Sequence, residues 1–130
     1  MLHLEVLPEK FTVCKLKEPA DARLGEFCFL AGTDRELSLV CPTALVPERT
    51  AAREDGWRAF RIAGTLDFAL TGILAGITSV LAGREIGVFA VSTFDTDYLL
   101  VRADDLERAL TALEESGIAD FSFLPGKDLL

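Results

Sequence analysis

The hydrophobic pattern from Trp57 to Phe123 constrains the fold more than any other feature of the sequence. An alternation with period two gives way to a helical period, and the same change occurs again later. The pattern predicts, in order, a strand at 57–63, a helix at 70–81, strands at 86–91 and 98–102, a helix that Asp104 caps and Gly117 follows, and a strand at 118–123. This βαββαβ order is typical of a ferredoxin-like α+β fold, in which an antiparallel sheet carries both helices on one face.

The first half of the chain shows a weaker form of the same pattern. It predicts strands at 3–6, 11–16, 27–31 and 37–41, a turn at Pro8-Glu9-Lys10 and a short helix near 48–54. The hairpin FLAGTDRELSLVC resembles FAVSTFDTDYLLV, and an alignment that matches Val40 with Val101 and Leu39 with Leu100 places Glu36 at the position of Asp97. Such a repeat favours two modules packed as a pair. We therefore predict a degenerate N-terminal module at 1–56 and a complete C-terminal module at 57–130.

The composition argues against several classes of function. The net charge is −8, and the 13 basic residues form no stripe, so the chain repels nucleic acid over most of its surface. No apolar run reaches the ~18–20 residues of a membrane helix, and the N-terminus lacks the basic region of a signal peptide. We expect a cytoplasmic protein that binds neither nucleic acid nor membrane. Its high apolar content leaves surface for a second copy, most simply as a homodimer, or for a partner protein.

The reactive side chains give no pattern typical of an enzyme or a metal site. Cys14, Cys28 and Cys41 contain no CxxC pair, so buried, reduced thiols are the simplest interpretation. The single histidine, His3, has no adjacent nucleophile in a recognisable arrangement, and no phosphate-binding glycine motif is present. We expect a non-catalytic protein without a metal or a cofactor.

The loop at 92–97 is longer and more polar than a hairpin requires. Two connecting residues are enough for a hairpin, yet this loop holds hydroxyls, a ring and two carboxylates. Asp97 is a candidate for holding a ligand ammonium group, Thr93 adds a hydroxyl, and Phe94 can cover an aliphatic stem. The alternative is a hydrated turn in which Asp95 and Asp97 bond to their own backbone.

Gly72 and Ile73 form the second half of the candidate site. Glycine inside a helix costs about 1 kcal/mol relative to alanine, so Gly72 is explained if a ligand must approach the backbone there. Free N–H groups at a helix start favour an anion such as a ligand carboxylate. A carboxylate near Gly72 and Ile73 and an ammonium near Asp97 together describe an amino acid. Close packing of the helix on the sheet is the alternative reason for Gly72.

Three stretches carry a family resemblance: VSTFDTDYLLV, LDFALTGILAGITSVLAGREIGVFAV and ELSLVCP. Together they resemble ACT-domain proteins, in particular the small bacterial tandem ACT proteins related to the CASTOR arginine sensors of animal cells. The resemblance covers residues 11–123. It implies a free amino acid bound between two ACT modules, and pairing of the modules into dimers. It implies ligand contacts from Thr93, Phe94 and Asp97, backbone contacts from Gly72 and Ile73, and a facing wall that includes Ser38.

The chain also departs from the family. It is much shorter than the animal sensors, so it would hold one ACT pair where they hold two, and no catalytic domain is recognisable in it. The resemblance therefore implies binding without naming the amino acid or the regulated partner protein. A rival interpretation is a ligand-free assembly module that uses its sheet edges to hold a partner.

Overall fold

The computed structural model describes residues 1–63 and 72–126 of the chain, which form parts of two compact units. The long unit comprises Met1–Pro8 and Arg58–Leu130, and the short unit comprises Glu9–Trp57. Residues 1–8 thus belong to the same unit as residues 58–130, although the predicted boundary assigns them to the first module.

The described elements follow the predicted order from residue 57 onward. The strands are β1 (Leu2–Lys15), β2 (Phe29–Gly32), β3 (Leu37–Pro42), β4 (Ala52–Ile62), β5 (Val88–Ser92), β6 (Asp97–Arg102) and β7 (Ala119–Phe123). The helices are α1 (Ile73–Gly83) and α2 (Leu106–Glu115), with 3-10 turns at Pro19–Asp21, Thr43–Leu45 and Ala103–Asp105.

The long unit has the ferredoxin-type arrangement that the sequence predicts, with one addition. Its strands lie in the order β7-β1-β4-β6-β5, so the first part of β1 is inserted beside β7 and pairs with it in parallel. Alternate strand residues and the apolar faces of both helices share one core, which places both helices on one face of the sheet. The core residues include Leu4, Val6, Phe60, Ile62, Ile77, Leu81, Leu99, Val101, Leu110 and Leu113.

The short unit has the strand order β2-β3-β1-β4 and a small core of its own. Cys14, Leu16, Leu39 and Cys41 are buried in this core, and Cys28 packs against them. All three thiols are free. Burial raises the pKa of the Cys41 thiol to about 12, so this thiol stays protonated at neutral pH.

Two predictions for the first half of the chain are wrong. The predicted turn at Pro8-Glu9-Lys10 is absent because β1 runs through it as one strand of 14 residues. Leu7 and Phe11 are buried on either side of this segment, and continuous pairing keeps both out of water. The predicted helix near 48–54 is also absent, since β4 begins at Ala52 and the preceding Ala51 N–H donates to the Lys15 carbonyl at 2.8 Å.

The start of α2 differs from the predicted capping by Asp104. A 3-10 turn occupies Ala103–Asp105, and Asp105 takes the N-cap position without a side-chain capping bond. The Asp105 carboxylate instead accepts a hydrogen bond from Arg108 at 2.9 Å, one turn into the helix. The apolar face of α2 is buried in the core and includes Leu106, Ala109, Leu110 and Leu113.

Within the described ranges, α1 and α2 are both too short to cross a lipid bilayer.

Candidate functional site

The candidate loop is a compact four-residue turn. β5 ends at Ser92 and β6 begins at Asp97, so only Thr93–Thr96 connect the strands. Ser92 and Asp97 form the last pair of the antiparallel ladder. The Thr93 N–H donates to the Thr96 carbonyl at 2.8 Å, and the Thr93 hydroxyl donates to the same carbonyl at 3.1 Å. The Thr93 hydroxyl therefore stabilises the turn itself.

The β2–β3 hairpin of the short unit has the same turn, which corrects the predicted alignment. Gly32 and Leu37 close its ladder, and the Thr33 N–H donates to the Glu36 carbonyl at 2.9 Å. Thr33 thus matches Thr93, and Leu37 matches Asp97. The predicted match of Glu36 with Asp97 is wrong by one residue, so only the β5–β6 hairpin has a carboxylate at this position.

Thr96 fixes the turn to the sheet. Its buried hydroxyl donates to the Ile62 carbonyl at the end of β4 with a distance of 2.8 Å. Since the chain leaves β4 at Ile62 on its way to α1, the hairpin turn and this exit lie at the same end of the sheet. Sequence reasoning missed Thr96, because nothing in the pattern distinguishes its hydroxyl from those of Ser92 and Thr93.

We expect Thr96→Val to lower the free energy of unfolding by about 1–3 kcal/mol, because it leaves the buried Ile62 carbonyl without its donor. Urea denaturation monitored by circular dichroism measures this change. Thr111→Val, at an exposed position on α2, is the matched control and is expected to change stability by less than about 0.5 kcal/mol. Equal effects of the two substitutions would contradict the anchoring role.

Asp97 keeps one carboxylate oxygen available. Its Oδ1 accepts a hydrogen bond from the Ser92 hydroxyl at 2.6 Å, which orients the side chain. Its Oδ2 makes no hydrogen bond to the described part of the chain. Phe94, at the tip of the same turn, is 84% exposed. The turn therefore offers an oriented carboxylate acceptor on Asp97 and a large, mostly exposed apolar ring on Phe94.

Gly72 begins α1 in a conformation that favours glycine. Its φ is 82°, and α1 has no side-chain N-cap hydrogen bond. A Cβ at this position would meet no described atom within 4 Å. The left-handed backbone, and not close packing on the described sheet, therefore explains the glycine. The first N–H groups of α1, from Ile73 on, find no acceptor within the helix. Residues 70 and 71, with which the predicted helix begins, lie outside the described residues.

Gly72→Ala tests this backbone requirement. We expect a loss of about 1–2 kcal/mol in the free energy of unfolding, because a Cβ is disfavoured at positive φ. Gly83→Ala is the control, because φ at this last residue of α1 is not positive and an added Cβ would meet no described atom within 4 Å. It is expected to be neutral or to stabilise by up to about 1 kcal/mol. Thermal denaturation of both variants shows whether each substitution lowers or raises stability. No loss of stability in Gly72→Ala would refute the requirement for glycine at this backbone conformation.

Comparison with known proteins identifies the domain that holds this site. Residues 52–115 match the sequence profile of the ACT domain. This chain contains an ACT domain. It is 34% identical to protein Atu0741 from Agobacterium tumefaciens, known from an X-ray structure, over 99% of this chain and 98% of that one, with a TM-score of 0.86.

Two aspartate kinase structures share the ACT fold at low identity. Aspartate kinase from Clostridium acetobutylicum gives a TM-score of 0.63 at 13% identity, over 83% of this chain and 33% of the enzyme. The ligand-free regulatory subunit of aspartate kinase from Thermus thermophilus gives 0.60 at 8% identity, over 86% and 95% of the two chains. At these sequence identities, the structural similarity shows a shared fold and does not show a shared function.

The candidate residues are divided between the two units of the ACT protein. Gly72, Ile73, Thr93, Phe94 and Asp97 all belong to the long unit. Ser38 belongs to the short unit, where it lies on β3 opposite Ala31 and donates a hydrogen bond to the Glu36 carboxylate. The structure therefore groups five of the six within one unit, while a role for Ser38 remains a prediction.

The helix-free face of the ACT sheet carries an ionic group that the sequence analysis did not identify. Arg61 on β4 donates to Glu5 on β1 at 3.0 Å and to the Tyr98 hydroxyl on β6 at 3.3 Å. The guanidinium also lies 6.0 Å from the centre of the Tyr98 ring. These contacts join the neighbouring strands β1, β4 and β6 at Tyr98, the residue that follows Asp97. Alternation in the sequence places Arg61 on this face, but its partners depend on the unpredicted insertion of β1.

The expectation that His3 has no nucleophile nearby is also corrected. His3 Nδ1 lies 2.6 Å from the Asp120 carboxylate, and His3 Nε2 lies 2.9 Å from the Ser122 hydroxyl. Parallel pairing of β1 with β7 places His3 opposite Asp120. All three side chains are exposed on the face of the sheet. We interpret them as cross-strand hydrogen bonds that hold β7 to β1.

Proposed function

We propose that this ACT-domain protein is a non-catalytic regulatory module that binds a free amino acid. The ligand's ammonium group is held by Asp97, and its carboxylate is held by the backbone N–H groups of Ile73 and its neighbours at the start of α1. The observation that carries the proposal is the available Oδ2 of Asp97, on a side chain that Ser92 already orients. An ionised acceptor of this kind bonds an ammonium group about twice as strongly as a neutral one does.

The start of α1 supplies the complementary charge. Free N–H groups and the helix dipole give a partial positive charge at Gly72 and Ile73. With 11 residues, α1 is long enough to have such a dipole. No described atom lies within 4 Å of a Cβ at Gly72, which supports the approach of a ligand carboxylate to this backbone. Phe94, exposed at the tip of the turn, would close over the ligand stem, and Thr93 would hold the turn in shape.

The short unit is best interpreted as the degenerate partner module. Its strand order β2-β3-β1-β4 is that of a ferredoxin-like unit, with 3-10 turns at Pro19–Asp21 and Thr43–Leu45 where the two helices would stand. We propose tandem modules at about 1–56 and 57–130, with the amino acid at their junction and Ser38 on the facing wall, as in the CASTOR-type sensors that the sequence resembles.

Regulation would follow from occupancy. A bound amino acid favours one packing of the modules over another, and it shifts this equilibrium only by its difference in affinity between the two. The packing so favoured would change the surface presented to a second copy in a homodimer, or to a regulated partner protein.

Titration calorimetry of the intact protein against each of the twenty amino acids tests the proposal. We expect one-to-one binding of one amino acid, or of a few with similar side chains. The same ligand should raise the thermal midpoint, because it binds only the folded state. No heat and no midpoint shift with any of the twenty would overturn the proposal.

A groove beside β7 favours the rival function, a ligand-free assembly module. Leu106, Leu110, Phe121 and Phe123 line this groove, which measures about 380 Å³, and Phe123 is 61% exposed. Apolar surface next to a sheet edge suits a protein partner. The calorimetric panel separates the two functions, because the rival predicts no response to any amino acid.

A further inference from the structure

The short unit contains a polar cavity whose lining includes none of the residues of the proposed amino-acid site. It measures about 440 Å³ and lies between the segments that include the two 3-10 turns. Its lining includes Asp21, Arg23, Glu48 and Arg49, together with apolar side chains such as Leu45 and Pro47. This volume is within the range of about 300–1,000 Å³ that is usual for small-molecule sites. We propose that this cavity binds a small zwitterion with a short aliphatic stem.

Asp21 is the cation-binding group of this cavity. Its side chain is only 15% exposed, and its Oδ1 accepts a hydrogen bond from Arg49 at 3.2 Å. Its Oδ2 is shielded from solvent and has no hydrogen-bond partner in the described part of the chain. An unmet acceptor of this kind is unfavourable, and it favours a ligand that brings an N–H donor. Rotation about the broad terminal torsion of aspartate, with release of the Arg49 bond to Oδ1, would turn this oxygen toward a ligand.

Arg49 and Arg23 are the groups for the anionic end of the ligand. The Arg49 side chain is 63% exposed although it bonds to Asp21, so its remaining N–H donors are accessible. Arg23 also lines the cavity and forms no ion pair within the described residues. A planar guanidinium bonds a carboxylate through two parallel N–H groups, which suits a ligand carboxylate near these side chains.

The charge balance of the lining selects the class of ligand. Besides the Asp21–Arg49 ion pair, the lining holds one more arginine and one more acid, Arg23 and Glu48, so a zwitterion finds a partner for each of its charges. Leu45 and Pro47 supply an apolar wall for the methylene groups between the ligand's two charges. Sequence reasoning did not find this site, because its residues come from two turns that are distant in sequence and contain no motif.

Titration of the intact protein with γ-aminobutyrate, followed by NMR chemical shifts of the backbone amides, tests this inference. We expect saturable shifts at residues 20–23 and 44–49. Asp21→Asn should weaken the response at least about tenfold, since it removes the ionised acceptor. Asp34→Asn, which changes an exposed carboxylate of the same unit, is the matched control and should leave it unchanged. Glycine betaine, a zwitterion without N–H donors, should produce no saturable shift.

The outcome is independent of the proposed amino-acid contacts at Asp97 and Ile73. Asp97→Asn should leave the shifts at 20–23 and 44–49 intact. Two results would overturn the inference: the absence of saturable shifts with γ-aminobutyrate, or shifts that persist unchanged in Asp21→Asn. Loss of the shifts in Asp97→Asn would show that they report the long unit and would overturn it too.

Discussion

Asp97→Asn is expected to weaken amino-acid binding by about 10- to 150-fold while leaving stability nearly unchanged. The substitution keeps the size of the side chain and removes the charge that faces the ligand ammonium. A hydrogen bond to a charged group contributes about 1.5–3 kcal/mol, which converts to this change in affinity. Titration calorimetry with the amino acid that binds the wild-type protein measures the change.

Asp95→Asn is the matched control for this prediction. Asp95 lies in the same turn and is exposed, but it does not pair with Ser92. Its substitution removes the same charge from the loop and is expected to change affinity by less than about threefold, since exposed charges interact weakly. If both variants lost affinity equally, the turn would act through its overall charge, and the specific role of Asp97 would be wrong.

Phe60→Ala is expected to lower the free energy of unfolding by about 3–5 kcal/mol. Phe60 lies on β4, is fully buried, and belongs to the core that joins the sheet to both helices. Truncating its ring removes apolar contacts and leaves a cavity that the surrounding strands cannot fill. Since a domain of this size has only about 5–15 kcal/mol of stability, the variant is expected to unfold at a much lower urea concentration.

Phe94→Ala provides the contrast, because the same chemical change is made on an exposed ring. We expect a stability change within about 0.5 kcal/mol. Affinity for the amino acid should fall, since the ring is proposed to cover the ligand. A destabilisation of Phe94→Ala comparable to that of Phe60→Ala would contradict the distinction between a core residue and a ligand-covering residue.

Periodicity was sufficient to predict the elements from residue 57 onward, because each of them buries one face. Ile77 and Leu81 are both buried at helical spacing, and Leu99 and Val101 are both buried at strand spacing. The same argument fails for β1. Leu7 and Phe11 are buried on opposite sides of the predicted turn, and a local pattern with Pro8 between them cannot show that pairing continues through it.

The candidate site was predictable only in part, for a related reason. Asp97 and Gly72 stand out as residue types that need an explanation at a turn and at a helix start. The functions of Thr93 and Thr96 depend on which carbonyl each hydroxyl reaches, and this requires the register of the hairpin. An alignment shifted by one residue hid the equivalence of Thr33 and Thr93. Such an alignment compares each strand residue with one that lies on the opposite face of the sheet.

A crystal structure of the protein with its bound amino acid tests the central claim most directly. We predict that the ligand ammonium lies within about 3 Å of the Asp97 carboxylate. The ligand carboxylate should accept hydrogen bonds from the backbone N–H groups at Ile73 and its neighbours. A ligand bound elsewhere, or one whose ammonium group is turned away from Asp97, would contradict the account.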